Sequence, residues 1–260
     1  MENKFTKKLL RGIVCLAFWL LAWQIFAAVL GRTVVLPTPF AVLKKLAELL
    51  GTSKFYLDCL FSLARIFLGL LFGIFAGVLL AAFCAGFRLF DTVFSPAVSV
   101  IKATPIASII ILMLFVMDKN FVPMVAAMLM VVPIVFGNVR RGIASVPTEQ
   151  KEVAQVFGFT FGKRLKYCLV PSVLPYFSAA CRSALGLAWK AGVAAEVICT
   201  PKYSIGLNLN NAKVYLESEE LYAWTIVVVV MSVLIEKGII FLLDKLVKKG
   251  GAANAEALED

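Results

Sequence analysis

The stretch FYLDCLFSLARIFLGLLFGIFAGVLLAAFC, residues 55–84, decides the fold. It stays apolar for longer than the roughly 20 residues an α-helix needs to cross the hydrocarbon of a bilayer. Outward from it, further apolar runs cover 12–30, 92–117, 121–138, 174–199 and 222–243. Each reaches or approaches spanning length, which gives six transmembrane helices and places both termini on one side. Composition agrees. Of 260 residues, 61% are hydrophobic and 16% charged, against about 45–50% and about 25% in an ordinary soluble domain. The expectation is an all-α integral membrane protein.

Along the chain, 1–11 reads as a cytoplasmic N-terminus, 12–30 as the first span and 31–54 as an external segment. A core of five spans follows over 55–243, interrupted by a long cytoplasmic loop at 139–172, and 244–260 is a cytoplasmic tail. The basic start, Lys4, Lys7, Lys8 and Arg11, before an apolar run has the form of a signal peptide. The run exceeds an h-region of about 7–15 residues and no small-residue cleavage site follows, so it reads as a retained helix. Loops on the side of the termini hold twice as many Lys and Arg as the opposite loops, and the positive-inside rule makes that side cytoplasmic. Residues 40–50 alternate apolar and Lys residues at helical spacing after Pro37 and Pro39, which suits a short helix on the outer surface. The small, acidic stretch 250–260 reads as disordered.

Several chemistries drop out. The net charge of +10 would suit nucleic acid, but the cations lie between apolar runs, where topology signals belong. The chain has no His, which removes Ser-His catalysis and His-metal sites. Its six Cys, among them Cys15, Cys84 and Cys181, show no paired spacing and read as small hydrophobes. Gly158 to Arg164 approaches a P-loop but is one residue short, and Arg164 stands where a hydroxyl is needed. Any ATP chemistry must therefore reside on another chain.

Inside the membrane, Gly69, Gly73, Gly77, Ala81 and Ala85 recur every four residues, as do Ala180, Ala184, Ala188 and Gly192. Such ladders let helix backbones approach. They read either as a sliding interface or as static packing. Pro96 and Pro105 predict a kink in the third span. Intramembrane ionisable groups are costly and mark functional positions; the notable ones here are Lys102, Arg182, Lys190 and Glu196. Arg182, Trp189 and Glu196 repeat by seven and stay near one helix face, but about 21 Å of rise keeps Arg182 and Glu196 from pairing. Two readings stand: interhelical ion pairs, such as Glu196 with Lys102 or Arg65, or a path for a polar solute with excess positive charge.

The cytoplasmic loop SVPTEQKEVAQVFGFTFGKRLKYCLVPSVLP, residues 145–175, carries a second signal. Thr148 suits an N-cap, and Glu149 and Glu152 suit the positive end of the helix dipole. Val153, Val156 and Phe157 share a face, Gly158 stops the helix, and a second short helix carries Lys163, Arg164 and Lys166. By itself this is either a membrane-surface helix or a docking knob. The loop resembles the EAA motif of ABC importer permeases, which reads Glu-Ala-Ala, three residues, Gly, nine residues, Ile-x-Leu-Pro. The counterparts are Glu152-Val153-Ala154, Gly158 and Cys168-Leu169-Val170-Pro171. Ser62-Leu63-x-Arg65 with Gly69 and Gly73, the series Arg182, Trp189, Glu196, and Gly206 resemble the nitrate/sulfonate/taurine-type permeases. Where that family carries Pro-rich text and an Arg in the third helix, this chain has Lys102-Ala103-Thr104-Pro105.

The resemblance implies the type I importer permease fold, with a coupling helix between spans 4 and 5. It implies a prokaryotic inner-membrane subunit that is not an enzyme and holds no cofactor. ATP and magnesium would sit on partner ABC ATPases docked on Glu149, Glu152, Val153, Ala154, Val156, Phe157, Gly158 and Pro171. A second permease copy, identical or closely related, and an external binding protein would complete the assembly. Arg65, Lys102, Pro105, Arg182, Trp189, Lys190 and Glu196 are candidates for the path, and Gly69, Gly73, Gly77, Ala184, Ala188 and Gly192 for helix packing. The expected cargo is a small organic anion such as a sulfonate or taurine, with a vitamin precursor or other neutral heterocycle as the alternative. A secondary transporter or channel working without an ATPase is the competing class.

Overall fold

The computed structural model describes the backbone of residues 2–32 and 34–256, and the side chains of 10–15, 17–32 and 34–241. It is helical throughout: α1 (Glu2–Leu30), α2 (Pro39–Leu50), α3 (Ser53–Gly86), α4 (Arg88–Ala103), α5 (Ile106–Leu114), α6 (Val122–Ala144), α7 (Thr148–Val156), α8 (Phe161–Arg164), a π-helical turn at Leu165–Leu169, α9 (Val170–Cys199), α10 (Ile205–Val214) and α11 (Ser218–Glu256). Among the described residues, five helices are long and apolar enough to span a membrane: Leu10–Leu30, Ser53–Gly86, Val122–Ala144, Phe161–Cys199 and Ser218–Phe241. The pair α4 and α5 brings the total to six if it counts as one bent span.

That third span is more than kinked. α4 and α5 meet at 100°. The break falls at Thr104, which is extended (ψ 131°), and Pro105 (ψ 125°). Proline lacks an N–H and drives the preceding residue out of the helical region, which ends α4. Pro96 lies inside α4 without ending it. The tail also departs from expectation, because α11 runs on to Glu256; residues 257–260 lie outside the described residues.

α3, α6 and α9 pack mutually and hold the core. The glycine ladder explains how α3 and α6 come so close. A Cβ at Gly69 would meet the Met124 carbonyl oxygen at 2.2 Å, one at Gly73 would meet Val131 Cβ at 2.6 Å, and one at Gly77 would meet Val135 Cβ at 2.8 Å. Gly192 of α9 accepts the Ile66 side chain in the same way, at 2.5 Å. Ala184 and Ala188 are buried against the same core. Ala85 does not join the ladder and is exposed, and Cys84 is buried in its place. A four-residue step overshoots one helical turn by about 40°, so four steps carry the face nearly half-way round. Substituting Gly73 by Leu should force the helices apart and cost about 1–3 kcal/mol or more, read as a lower melting temperature in detergent. Gly86→Leu, where a Cβ meets nothing within 4 Å, should leave melting unchanged.

One end of the bundle gathers the expected external segments. The Ser218 hydroxyl donates to the Val34 carbonyl, Lys45 pairs with Glu220 at 3.1 Å, and the Lys202 N–H donates to Asn120 Oδ1 at 3.2 Å. The Glu220 bond also raises the pKa of Lys45 above its ordinary value. Here α2 lies against α11 and α3, with Thr38 as its N-cap. The opposite end carries α7 and the ion pair of Asp91 with Arg140 at 2.6 Å. α1 stands largely apart; Trp23 anchors it by donating to the Pro37 carbonyl at 3.1 Å and by packing on Tyr222.

Candidate functional site

Two features stand out, one at each end of α9. The first is a polar cluster centred on Glu196, which is wholly buried. Its Oε1 accepts from Arg65 at 3.0 Å; its Oε2 accepts from the Ser62 hydroxyl at 2.6 Å and the Gly206 N–H at 3.3 Å. The Ser62 hydroxyl accepts in turn from the Ile205 N–H at 2.9 Å, and Arg65 also donates to the Lys202 carbonyl. One turn nearer the start of α3, buried Asp58 accepts from Asn208 at 2.7 Å, and Lys54 donates to Asn208 Oδ1 at 3.3 Å. The polar side of α3 thereby ties down the loop after α9 and the start of α10, which Ser204 caps. Two residues of this loop, Thr200 and Tyr203, have positive φ (47° and 51°), a strained conformation for residues with side chains. A Cβ at Gly206 would lie 2.3 Å from Glu196, so only glycine permits this approach.

Of the two partners expected for Glu196, the structure brings Arg65 and not Lys102. Trp189 is buried and its Nε1 donates to the Val228 carbonyl at 3.1 Å, joining α9 to α11. Lys102, Pro105, Arg182 and Lys190 are exposed on the isolated chain. Sequence reasoning missed Lys54, Asp58 and Asn208. The signal was present: Asp58, Ser62 and Arg65 follow at four and three residues along an otherwise apolar helix, which puts them on one face.

The second feature is the turn 145–169. Pro147, rather than Thr148, occupies the N-cap of α7, and Glu149 lies in its first turn. Ala154 is buried with Val146 and Cys168, and the Phe159 N–H closes onto the Ala154 carbonyl at 2.9 Å. Gly158 has φ +59°, which lets the chain reverse there. The outer face of α7 stays uncovered: Val153 is 50% exposed, Phe157 74% and Val156 83%. Glu149 and Glu152 are exposed beside them. The expected second short helix is present as α8 and the π turn that carries Lys166, but it does not stand apart. α8 runs through the π turn into α9, making one helix from Phe161 to Cys199. Pro171 is half-buried near the start of α9, where its missing N–H does least harm.

This arrangement combines a membrane bundle, one small apolar knob outside it, and a buried ion pair within a polar cluster. Comparisons with known proteins fit it. Residues 69–249 match the family described as binding-protein-dependent transport system inner membrane component. The nitrate import permease protein of Synechococcus elongatus is 30% identical over 213 residues, covering 76% of this chain and 75% of that protein. A putative aliphatic sulfonates transport permease protein of Bacillus subtilis is 23% identical over 242 residues, covering 92% and 87%. A crystal structure of an amino acid ABC transporter with histidines has a similar fold, with TM-score 0.58 at 18% identity over 72% of this chain and 90% of that one.

Proposed function

Because the chain belongs to the family of binding-protein-dependent transport system inner membrane components, we propose that it pairs with a second permease copy to form a path for a small anion. It is a transport subunit rather than an enzyme, and it resides in the membrane. An external binding protein delivers the solute at the end where α2, the 200–206 loop and α10 gather. A separate ABC ATPase, which holds ATP and magnesium, docks on α7 at the cytoplasmic end. The termini lie on that same side, a placement that the distribution of Lys and Arg supports.

One observation carries the anion reading. The buried carboxylate, Glu196, is already compensated by Arg65, while Lys102 and Lys190 remain exposed on membrane-embedded helices. Intramembrane cations at such positions mark solute paths and are satisfied by water, a neighbouring subunit or the solute. The named cargoes of two relatives, nitrate and aliphatic sulfonates, are anions of this size class. Taurine offers the same sulfonate group, although its ammonium makes the whole molecule a zwitterion. To test this, the complete complex with its ATPase and binding protein is reconstituted and screened with nitrate, taurine, alkanesulfonates and neutral heterocycles. Stimulation of ATP hydrolysis by an anion is expected, with uptake falling about tenfold or more in Lys102→Ala/Lys190→Ala, equivalent to the loss of one charge-assisted contact. Stimulation by a neutral heterocycle alone, or unchanged anion uptake in the double variant, would refute the anion assignment.

A further inference from the structure

A groove of about 460 Å³ opens on the side of the bundle near the α7 end. It runs beside the glycine ladder: Leu71, Ile74, Phe75, Val78 and Ala82 line it from α3, on both sides of Gly77 along the helix. Ile74 and Val78 of α3 form one wall, Val139 and Ile143 of α6 the floor, and Leu169 and Val173 the other wall. Every lining side chain is apolar. We propose that this groove is a binding site for one acyl chain of an anionic phospholipid, whose headgroup is held by Lys163, Arg164 and Lys166.

The rim supplies the charge argument. Residues 161–169 read FGKRLKYCL, with three cations and no carboxylate. All three cations are exposed. Leu165 and Leu169, from this same segment, line the groove. Lys166 lies one turn before Val170, another lining residue, and helical side chains lean toward the N-terminus. Its ammonium is thereby directed away from the apolar wall, toward the level of the headgroups, where Lys side chains snorkel. Tyr167 beside it, with its ring 5.3 Å from the Lys166 ammonium, is a residue type enriched at that interface. Basic residues between helices on the cytoplasmic side are suited to phosphate headgroups. A helix from a second copy fits less well. The start of α1 carries Lys4, Lys7, Lys8 and Arg11, which would set positive charge against the basic rim.

The site would bear on coupling, because the segment that lines it also supports α7. For the test, Phe177, a lining residue, is replaced by Trp as a reporter. The complete complex is placed in phosphatidylcholine vesicles containing equal mole fractions of either brominated phosphatidylglycerol or brominated phosphatidylcholine. Quenching of the added Trp should favour the anionic lipid by about tenfold, and Lys163→Gln/Arg164→Gln/Lys166→Gln should abolish that preference. Equal quenching by both lipids would mean ordinary surrounding lipid and overturn the proposal. No quenching would mean that protein covers the groove, which overturns it too. Should Phe177→Trp not fold, mass spectrometry of the unmodified complex in detergent decides: phosphatidylglycerol retained by the wild type and lost from the triple variant supports the site, and no retained anionic lipid overturns it.

Discussion

Replacing Glu196 by Ala is expected to prevent recovery of a folded chain, or to lower its melting temperature sharply. Three donors converge on this carboxylate: Arg65, Ser62 and the Gly206 N–H. Removing it leaves a largely buried guanidinium without its counter-ion. Breaking a buried pair from one side costs about 3–5 kcal/mol, and each orphaned neutral donor costs about 1–3 kcal/mol. Those terms are not additive, but total stability is only about 5–15 kcal/mol. Glu196→Gln keeps an acceptor for Ser62 and should fall between the wild type and Ala. In Arg65→Met/Glu196→Leu both charges are gone, so it should melt higher than Glu196→Ala, because no charge is left unpaired. Gly206→Ala approaches the same place through sterics and should resemble Glu196→Ala. Wild-type melting in Glu196→Ala would show that the cluster does not hold the 200–206 loop.

Val156→Asp/Phe157→Asp should leave the chain folded and destroy its coupling. Both residues are mostly exposed on α7, so melting should hardly change. Burying one such side chain in a partner is worth about 1.5–3 kcal/mol. Losing two therefore costs at least about a hundredfold in affinity for the ATPase. Co-purification of the ATPase and solute-stimulated hydrolysis should both be lost. Gly158→Pro should act through geometry, since proline's φ near −65° cannot replace +59°, and α7 would no longer be presented correctly. Normal ATPase binding by both variants would rule out α7 as the docking element.

How far the sequence reached depended on whether a feature is local. The spans follow from run length, which needs no partner. Gly158 announces its turn because few other residues adopt its φ. Pro105 marks the end of α4, yet a 100° break rather than a kink depends on what α4 and α5 pack against. The pairing of Glu196 with Arg65 over Lys102 depends on how α3 and α9 are rotated about their axes, which no spacing within one helix encodes. Ala85 shows the same effect on a small scale, since the overshoot of each four-residue step turns it off the ladder's face. The π turn at Leu165–Leu169 has no residue signature at all. Nothing in the residues therefore announces that the short basic helix runs on without a break into α9. The knob was legible in outline, because its apolar face and Gly stop lie within a few residues of each other.

The continuous helix Phe161–Cys199 extends about 58 Å at 1.5 Å per residue. It makes the two ends of the molecule parts of one mechanical member. Its irregularities are concentrated near one end, with the π turn, Pro171 and Pro175 all between 165 and 175. The remainder, to Cys199, reaches the Glu196 cluster without another proline. Displacement at α7 therefore meets compliance first and stiffness afterwards. No relay of side-chain contacts is needed to carry it across the bilayer, and the bending resistance of eleven residues sets how much of it arrives.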